Sequence, residues 1–434
     1  MISRRHFIGV SSLAVAGTAC GTSPQAEAQP EQQQEPALPP SIAALKPMTD
    51  GVTPISVDER RARIEKARRL MRENGMQALM LASGTSLRYF TGLDWWPSER
   101  LLTVVIPAAG APFLVTPKFE EDRAMEQVRE GPLGEGTTVL TWEEDESPFA
   151  LVARGLRDRG IATGQMGVEE TVPFVFSDQV GRAVPAIRLV SGTPVTAGCR
   201  GVKDAHELAL MRHASAVTLA AYKAVYEALR DGMPQEEAQR LVGVAHRRLG
   251  YDGDASIQVG PGSALPHGSK EPQVIREGSI LLIDGGCKVA GYSSDISRTF
   301  VIGKATDRMK QVFDVELRAQ TAALRAARPG VECQAVDAAA RKVIEDAGFG
   351  PGYRFFTHRV GHGIGMDGHE WPYLVRGNTL PLAPGMTFSD EPGIYLPGEF
   401  GVRLEDDMYI TEDGAALFTP QSPSLEDPFG AAPA

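Results

Sequence analysis

The stretch Ser279–Phe300, SILLIDGGCKVAGYSSDISRTF, constrains this chain more than any other. An apolar run, Ile280–Ile283, ends abruptly on Asp284. Gly285 and Gly286 follow, then a turn-prone segment centred on Gly291. A second strand-like run carries Asp295 towards Thr299 and Phe300. Short apolar runs punctuated by glycine read as paired strands. A hairpin here sets Asp284 and Asp295 on neighbouring strands. Carboxylates held that close repel, and a pKa rises unless a cation lies between them. Taken alone, the stretch fits two solvated turn aspartates equally well.

Three further glycine-punctuated segments shift that balance. GHGIG spans Gly361–Gly365, SDEPGIY spans Ser389–Tyr395 and GVRLEDD spans Gly401–Asp407. They add His362, Glu391 and Glu405. Hard oxygen donors with one imidazole suit manganese, iron, cobalt or zinc. Each motif is weak alone; the ordered set Asp284, Asp295, His362, Glu391, Glu405 is specific. On these residues the chain resembles the M24 metallopeptidases (the creatinase, aminopeptidase P and prolidase family) from Glu59 to Thr419.

The resemblance implies an α/β (α+β) architecture. A small creatinase-like N-terminal α/β domain would occupy residues 57–200, and a C-terminal pita-bread catalytic domain residues 201–420. It also implies two divalent metal ions, manganese first, with cobalt, zinc or iron(II) as alternatives. Asp284, His362 and Glu391 would hold one ion more closely, and Asp295 and Glu405 would bridge both. Such ions activate a water and polarise the scissile carbonyl. Glu391 is then the candidate proton acceptor. Arg403 would orient a ligand carboxylate or one end of the substrate; the plainer alternative is a surface ion pair. His267, in Pro266-His267-Gly268, and His369, in Gly368-His369-Glu370, match family positions that contact the substrate and move protons. His206, His213, His246 and His358 lack such contexts, and His6 lies in the leader. Asp406 is expected behind the ligands, and Asp407 is assigned no ligand role.

The branch follows from what is present together. Methionine aminopeptidases usually lack such an N-terminal domain, and creatinases lack the full ligand set. This chain carries both features and so resembles the Xaa-Pro peptidases, whose substrate is a peptide with proline at the second position. An aminopeptidase P-like enzyme is favoured over a prolidase-like one on the expected envelope location. A dipeptidase would need a wall that captures a C-terminal carboxylate, and Arg376 could serve either case or neither. A lyase or amidinohydrolase on the same fold, or a peptide-binding pseudoenzyme, are the competing classes, since fold does not dictate function.

The N-terminus reads as an address. Arg4 and Arg5 precede a short apolar run, Ile8–Ala19, too short to span a bilayer. This is the pattern of a twin-arginine export signal, implying a periplasmic or envelope location. Cys20 sits where a lipoprotein signal would be cut, which would tether the chain by a lipid; plain cleavage between Ala19 and Gln29 is the alternative. Residues 1–20 are the expected signal. Residues 21–56, rich in Gln, Glu, Pro and Ala, are expected to form a disordered linker. The net charge of −11 disfavours a nucleic-acid partner.

Beyond the linker, apolar spacing predicts a helix over 59–74 and strands at 77–82, 101–106, 112–116, 137–141 and 166–169. Helices are expected at 119–129 and 148–159. In the loop Tyr89–Pro97, one of Trp95 and Trp96 is expected in the core. The other would approach a dimer-related site, so a homodimer or higher oligomer is expected. From Val202 onward, helices are expected at 203–229, 235–249, 306–328 and 333–347, with strands between. No sequence repeat is visible. The odd number of cysteines left if Cys20 is lipidated, Cys199, Cys287 and Cys333, predicts no disulfide needed for folding. Residues 421–434 are expected to be a disordered tail.

Overall fold

Helix Val57–Glu73 starts where the sequence says it should. The Ser56 hydroxyl accepts from the Glu59 amide, and the Glu59 carboxylate accepts from the Ser56 amide. This reciprocal cap satisfies two otherwise orphaned donors. The computed structural model describes residues 37–430. Arg4, Arg5, His6 and Cys20 lie outside the described residues.

The helix leads into a six-stranded mixed sheet. Its spatial order is Thr138–Trp142, Phe113–Pro117, Thr103–Pro107, Ala78–Ala82, Gly164–Val168 and Ile187–Ser191. The three central strands are buried along their whole length. That is the signature of a sheet covered on both faces. Helices Pro148–Arg157, Phe174–Ala183 and Thr193–Arg200 belong to the same domain, and the last two were not anticipated. Both are short, and Phe174–Ala183 carries only a narrow stripe, with Phe176 and Val180 buried and Ala183 half-buried beside them.

Helix pairs alternate with sheets in the second half. Helices Ala205–Tyr226 and Gln235–Leu249 precede the sheet of Gly253–Val259, Ile280–Val289 and Ile296–Val301. Helices Asp307–Ala326 and Cys333–Asp346 precede a five-stranded sheet. Its order is Glu370–Leu374, Gly361–Gly363, Thr387–Asp390, Asp406–Ile410 and Ala415–Leu417. This doubled arrangement is the pita-bread architecture that the resemblance implied. The two sheets meet at one bridge, between Ser297 and Glu405, where the Glu405 amide donates to the Ser297 carbonyl at 3.2 Å. The Arg298 guanidinium, fully buried, donates across this seam to the Glu405 carbonyl (2.8 Å), the Asp406 carboxylate (2.7 Å) and the Pro420 carbonyl (2.9 Å).

Several expectations need correction. Gly285 and Gly286 do not break the strand, which runs through them to Val289. Gly286 is there for contact: a Cβ on it would stand 1.9 Å from the Ser294 carbonyl oxygen. Tyr89–Thr91 are not loop but the end of helix Thr85–Thr91, stopped by Gly92 at φ +77°. The described part of the expected linker is ordered. It holds a short helix, Pro40–Ala43, with Ile42 fully buried, and the Met48 amide donates to the Leu249 carbonyl. The expected tail is ordered as far as it is described. Leu425 is 1% exposed and its carbonyl accepts from the Val301 amide. In both segments a few apolar residues are buried against the folded domain, which composition averaged over a window does not register. Trp95 is buried and Trp96 is 71% exposed. Cys199, Cys287 and Cys333 are buried free thiols.

Glu59 also pairs with His206 at 2.6 Å, clipping the two domains together. The bond and charge of Glu59 raise the His206 pKa above 6.5. Burial raises Glu59, but Ser56 and His206 outweigh it and lower it from 4.5 to about 2. Glu59's stabilisation is therefore lost as pH falls below 4.5 towards 2, and that of His206 is lost as pH rises through its raised value. Glu59→Gln keeps the cap and removes the charge. It should lower stability by about 0.5 kcal/mol near pH 5.5, and by less near pH 9. Urea midpoints at both pH values would check this, and a difference that does not shrink with rising pH would refute the pairing.

Candidate metal centre

The strand pairing that positions the first carboxylates differs slightly from a simple hairpin. Asp284 lies opposite Ser297, and Asp295 precedes Ser297 by two residues, just before the strand begins. Both point to the same place. Donor atoms of Asp284, Asp295 and Glu405 lie within 4.8 Å of one another, as do those of His362, Glu391 and Glu405 and those of Asp295, His362 and His369. The structure thus brings all five expected ligands together, with His369 beside two of them.

Each donor is aimed by a neighbour. Gly361 lets the His362 strand approach closely, since a Cβ there would lie 2.0 Å from the Ser389 carbonyl oxygen. The Ser389 hydroxyl accepts from the His362 amide (3.0 Å) and donates to the Glu391 carboxylate (3.1 Å). The Asp407 carboxylate accepts from the Asp295 amide at 2.9 Å. Asp407 therefore holds a ligand's backbone, and Asp406 faces away to Arg298, Thr419 and Gln320. The Ser297 hydroxyl has one proton to give. Glu405 Oε2 is its closer acceptor, at 2.6 Å against 3.0 Å for Asp284 Oδ1.

The donors suit divalent cations on a direct structural test. His362 Nδ1 contacts the Gly363 carbonyl oxygen at 3.1 Å. A carbonyl only accepts, so Nδ1 carries the proton and Nε2 presents a lone pair. That lone pair faces Glu391 Oε1 at 3.2 Å and Asp295 Oδ2 at 3.8 Å. A lone pair converging on carboxylate oxygens is the arrangement a cation satisfies. Burial, then the neighbouring carboxylates, push Asp295 and Glu405 above the usual carboxylate range. Positive charge placed among them would reverse that penalty.

Arg403 is not a surface ion pair. It is 4% exposed. Its Nη2 donates to Asp284 (2.6 Å), its Nε to Ser297 Oγ (3.0 Å), and its Nη1 to Tyr395 Oη (2.9 Å) and the Pro266 carbonyl (3.0 Å). His267 stands exposed at the mouth of a cavity of about 980 Å³ over the carboxylates. His369 lines the same cavity and stacks on His362, with ring centroids 3.6 Å apart. Arg359 Nη2 lies 3.3 Å from His369 Nδ1. A guanidinium only donates, so Nδ1 is the acceptor and Nε2 carries the proton. Burial lowers the His369 pKa, and His362 adds to this.

Sequence reasoning passed over His358. Its Nδ1 donates to the Arg359 carbonyl (2.8 Å), leaving Nε2 to accept from Tyr395 Oη (2.8 Å). Burial lowers its pKa. Tyr395 thus links Arg403 to His358 at the cavity wall. The only sequence signal was that His358 lies four residues before His362. Arg376, by contrast, does not line this cavity; it borders a separate groove and stands over Tyr353.

The N-terminal domain reaches this site through Arg200, which pairs with Asp367 and, together with Lys203 of the second domain, with Glu370 next to His369. Thr85 Oγ1 donates to Asp367 at 2.6 Å. A second cavity, of about 450 Å³, lies between the domains and shares His369.

Removing one aiming group should weaken the centre without unfolding it. Ser297→Ala is expected to lower divalent-metal affinity and turnover by about 10–100-fold. Metal titration by calorimetry, beside kcat, would check this; unchanged affinity would remove Ser297 from the site's support.

Residues 209–412 match the model of metallopeptidase family M24, and residues 63–202 match the creatinase/prolidase N-terminal domain. The chain is 37% identical over 347 residues to the probable dipeptidase PepE of Mycobacterium tuberculosis, covering 79% of this chain and 89% of the relative. It is 32% identical over 381 residues to an Xaa-Pro dipeptidase of Lactobacillus delbrueckii subsp. lactis, covering 84% and 98%. The crystal structure of dipeptidase PepE from Mycobacterium ulcerans superposes with a TM-score of 0.80 at 33% identity, over 86% of this chain and 99% of that one. The chain belongs to metallopeptidase family M24, in the branch of exopeptidases that carry a creatinase/prolidase N-terminal domain.

Proposed function

We propose that this protein is an Xaa-Pro dipeptidase working with two divalent cations, manganese first among them. The observation that carries the reading is the convergence of donor atoms from Asp284, Asp295, His362, Glu391 and Glu405 at the wall of a cavity sized for a short peptide. The names of the similar proteins, dipeptidase and Xaa-Pro dipeptidase, support the dipeptidase form over the aminopeptidase form favoured on location.

Bound at Asp284, Asp295, His362, Glu391 and Glu405, the cations would supply an activated water and a polarised carbonyl. The chain's own groups then divide the remaining work. Glu391, whose carboxylate lines the cavity beside His362, is the proton acceptor in this reading. His369 presents Nε2–H to the cavity as a donor for a carbonyl oxygen. His267, at the mouth, is placed to touch an entering substrate. Arg403 keeps Asp284 oriented, and Tyr395 ties it to neutral His358. Our reading also includes export on the Arg4-Arg5 signal, a lipid on Cys20, and a homodimer in which exposed Trp96 meets a second copy.

Purified protein loaded with manganese should hydrolyse Xaa-Pro dipeptides, and Glu405→Ala should reduce the rate at least about 1,000-fold. Cleavage restricted to longer Xaa-Pro peptides would make it an aminopeptidase. Loss of neither bond, with metal bound, would point to other chemistry on this scaffold.

A further inference from the structure

A dipeptidase must recognise a carboxylate one residue beyond the bond it cuts. The arginines on the wall of the large cavity are Arg359 and Arg403. Arg403 is already spent: all three of its nitrogens are engaged, and Asp284 neutralises it. Arg359 is different. Among the described residues its side chain makes one hydrogen bond, to His369 Nδ1, and no ion pair. Its guanidinium lies over the Tyr373 ring, 4.1 Å from the centroid. Stacking on one face and a bond from one nitrogen leave the other N–H groups of the planar fork without a partner in the described protein.

We infer that Arg359 is the group that binds the substrate's C-terminal carboxylate and so restricts this site to dipeptides. The inference rests on the Xaa-Pro dipeptidase reading and adds the residue that sets substrate length. His369 stacks on His362 at 3.6 Å, and Arg359 Nη2 lies 3.3 Å from His369 Nδ1. Arg359 is thus one histidine removed from the candidate ligands, on the wall of the same cavity. One residue of extended chain spans about 3.5 Å, so a dipeptide held at that centre ends within the cavity that Arg359 lines. Leu265, Tyr353 and Val375 supply apolar wall for a proline ring. The same contact ties length to chemistry, because the arginine that binds the carboxylate also holds His369 in its Nε2–H form.

The test compares Ala-Pro with Ala-Pro amide and Ala-Pro-Ala, using manganese-loaded wild type, Arg359→Met and Arg359→Lys. Wild type should prefer the free acid to the amide by roughly 100-fold in kcat/KM. Arg359→Met should lower both through the loss of its bond to His369, but should lower the acid by about that factor more than the amide, with the extra loss mainly in KM. Arg359→Lys should recover part of the loss. Melting temperature and metal content should match wild type in both variants. A wild type that cleaves acid and amide equally would overturn the inference and leave the Xaa-Pro reading standing. An equal fall on acid and amide in Arg359→Met would also overturn it, assigning Arg359 to positioning His369 alone. A wild type that cleaves none of the three would overturn the parent reading itself.

Discussion

Everything near the centre answers to one constraint: carboxylates are packed where water is scarce, and each repels the others. Asp284, Asp295, Glu391 and Glu405 face one cavity, and Asp406 and Asp407 stand directly behind. Such a cluster is tolerable only if the backbone carrying it cannot move apart. The Ser297–Glu405 bridge and the Arg298 guanidinium provide that restraint, because both join the sheet of the aspartates to the sheet of the glutamates. Breaking a buried pair of this kind typically costs about 3–5 kcal/mol, since one charge is then left unpaired. Arg403 performs the matching task on the open side, where it keeps Asp284 turned inward.

The N-terminal domain contributes to the site without supplying a ligand. Its Arg200 and Thr85 hold Asp367, and Arg200 joins Lys203 on Glu370. The segment between those two acids carries His369. A histidine in a loop would otherwise sample many orientations; anchored at both sides, it stacks on His362. Buried ion pairs add little net stability, but they specify one arrangement, and here that arrangement places a catalytic candidate.

Much of this was legible beforehand, for identifiable reasons. The long helices carry apolar residues at helical spacing with caps at their starts, so they could be read locally. The ligands could be read because each sits in a glycine-marked segment where strands must approach closely. Gly286 and Gly361 were legible as special, but their role was misassigned in one case: Gly286 permits contact within a continuous strand and does not end it. The helix Phe174–Ala183 and the ordered segments at 37–56 and 421–430 were not legible. Their order comes from packing against residues distant in the chain. His358 and Arg359 were missed because nothing in their local sequence separates a wall residue from a surface one.

By itself, the sequence determined the family, the two-domain order and a set of candidate metal donors. These follow from residue chemistry and from periodicities that act over a few positions. Only the tertiary structure decided that the five candidate donors meet at one cavity, and which arginine on its wall keeps unengaged N–H groups. Both depend on hydrogen bonds between segments far apart in the chain. Arg403 is taken by Asp284, 119 residues away, and Arg359 by a histidine and a tyrosine ring that leave its charge unmatched.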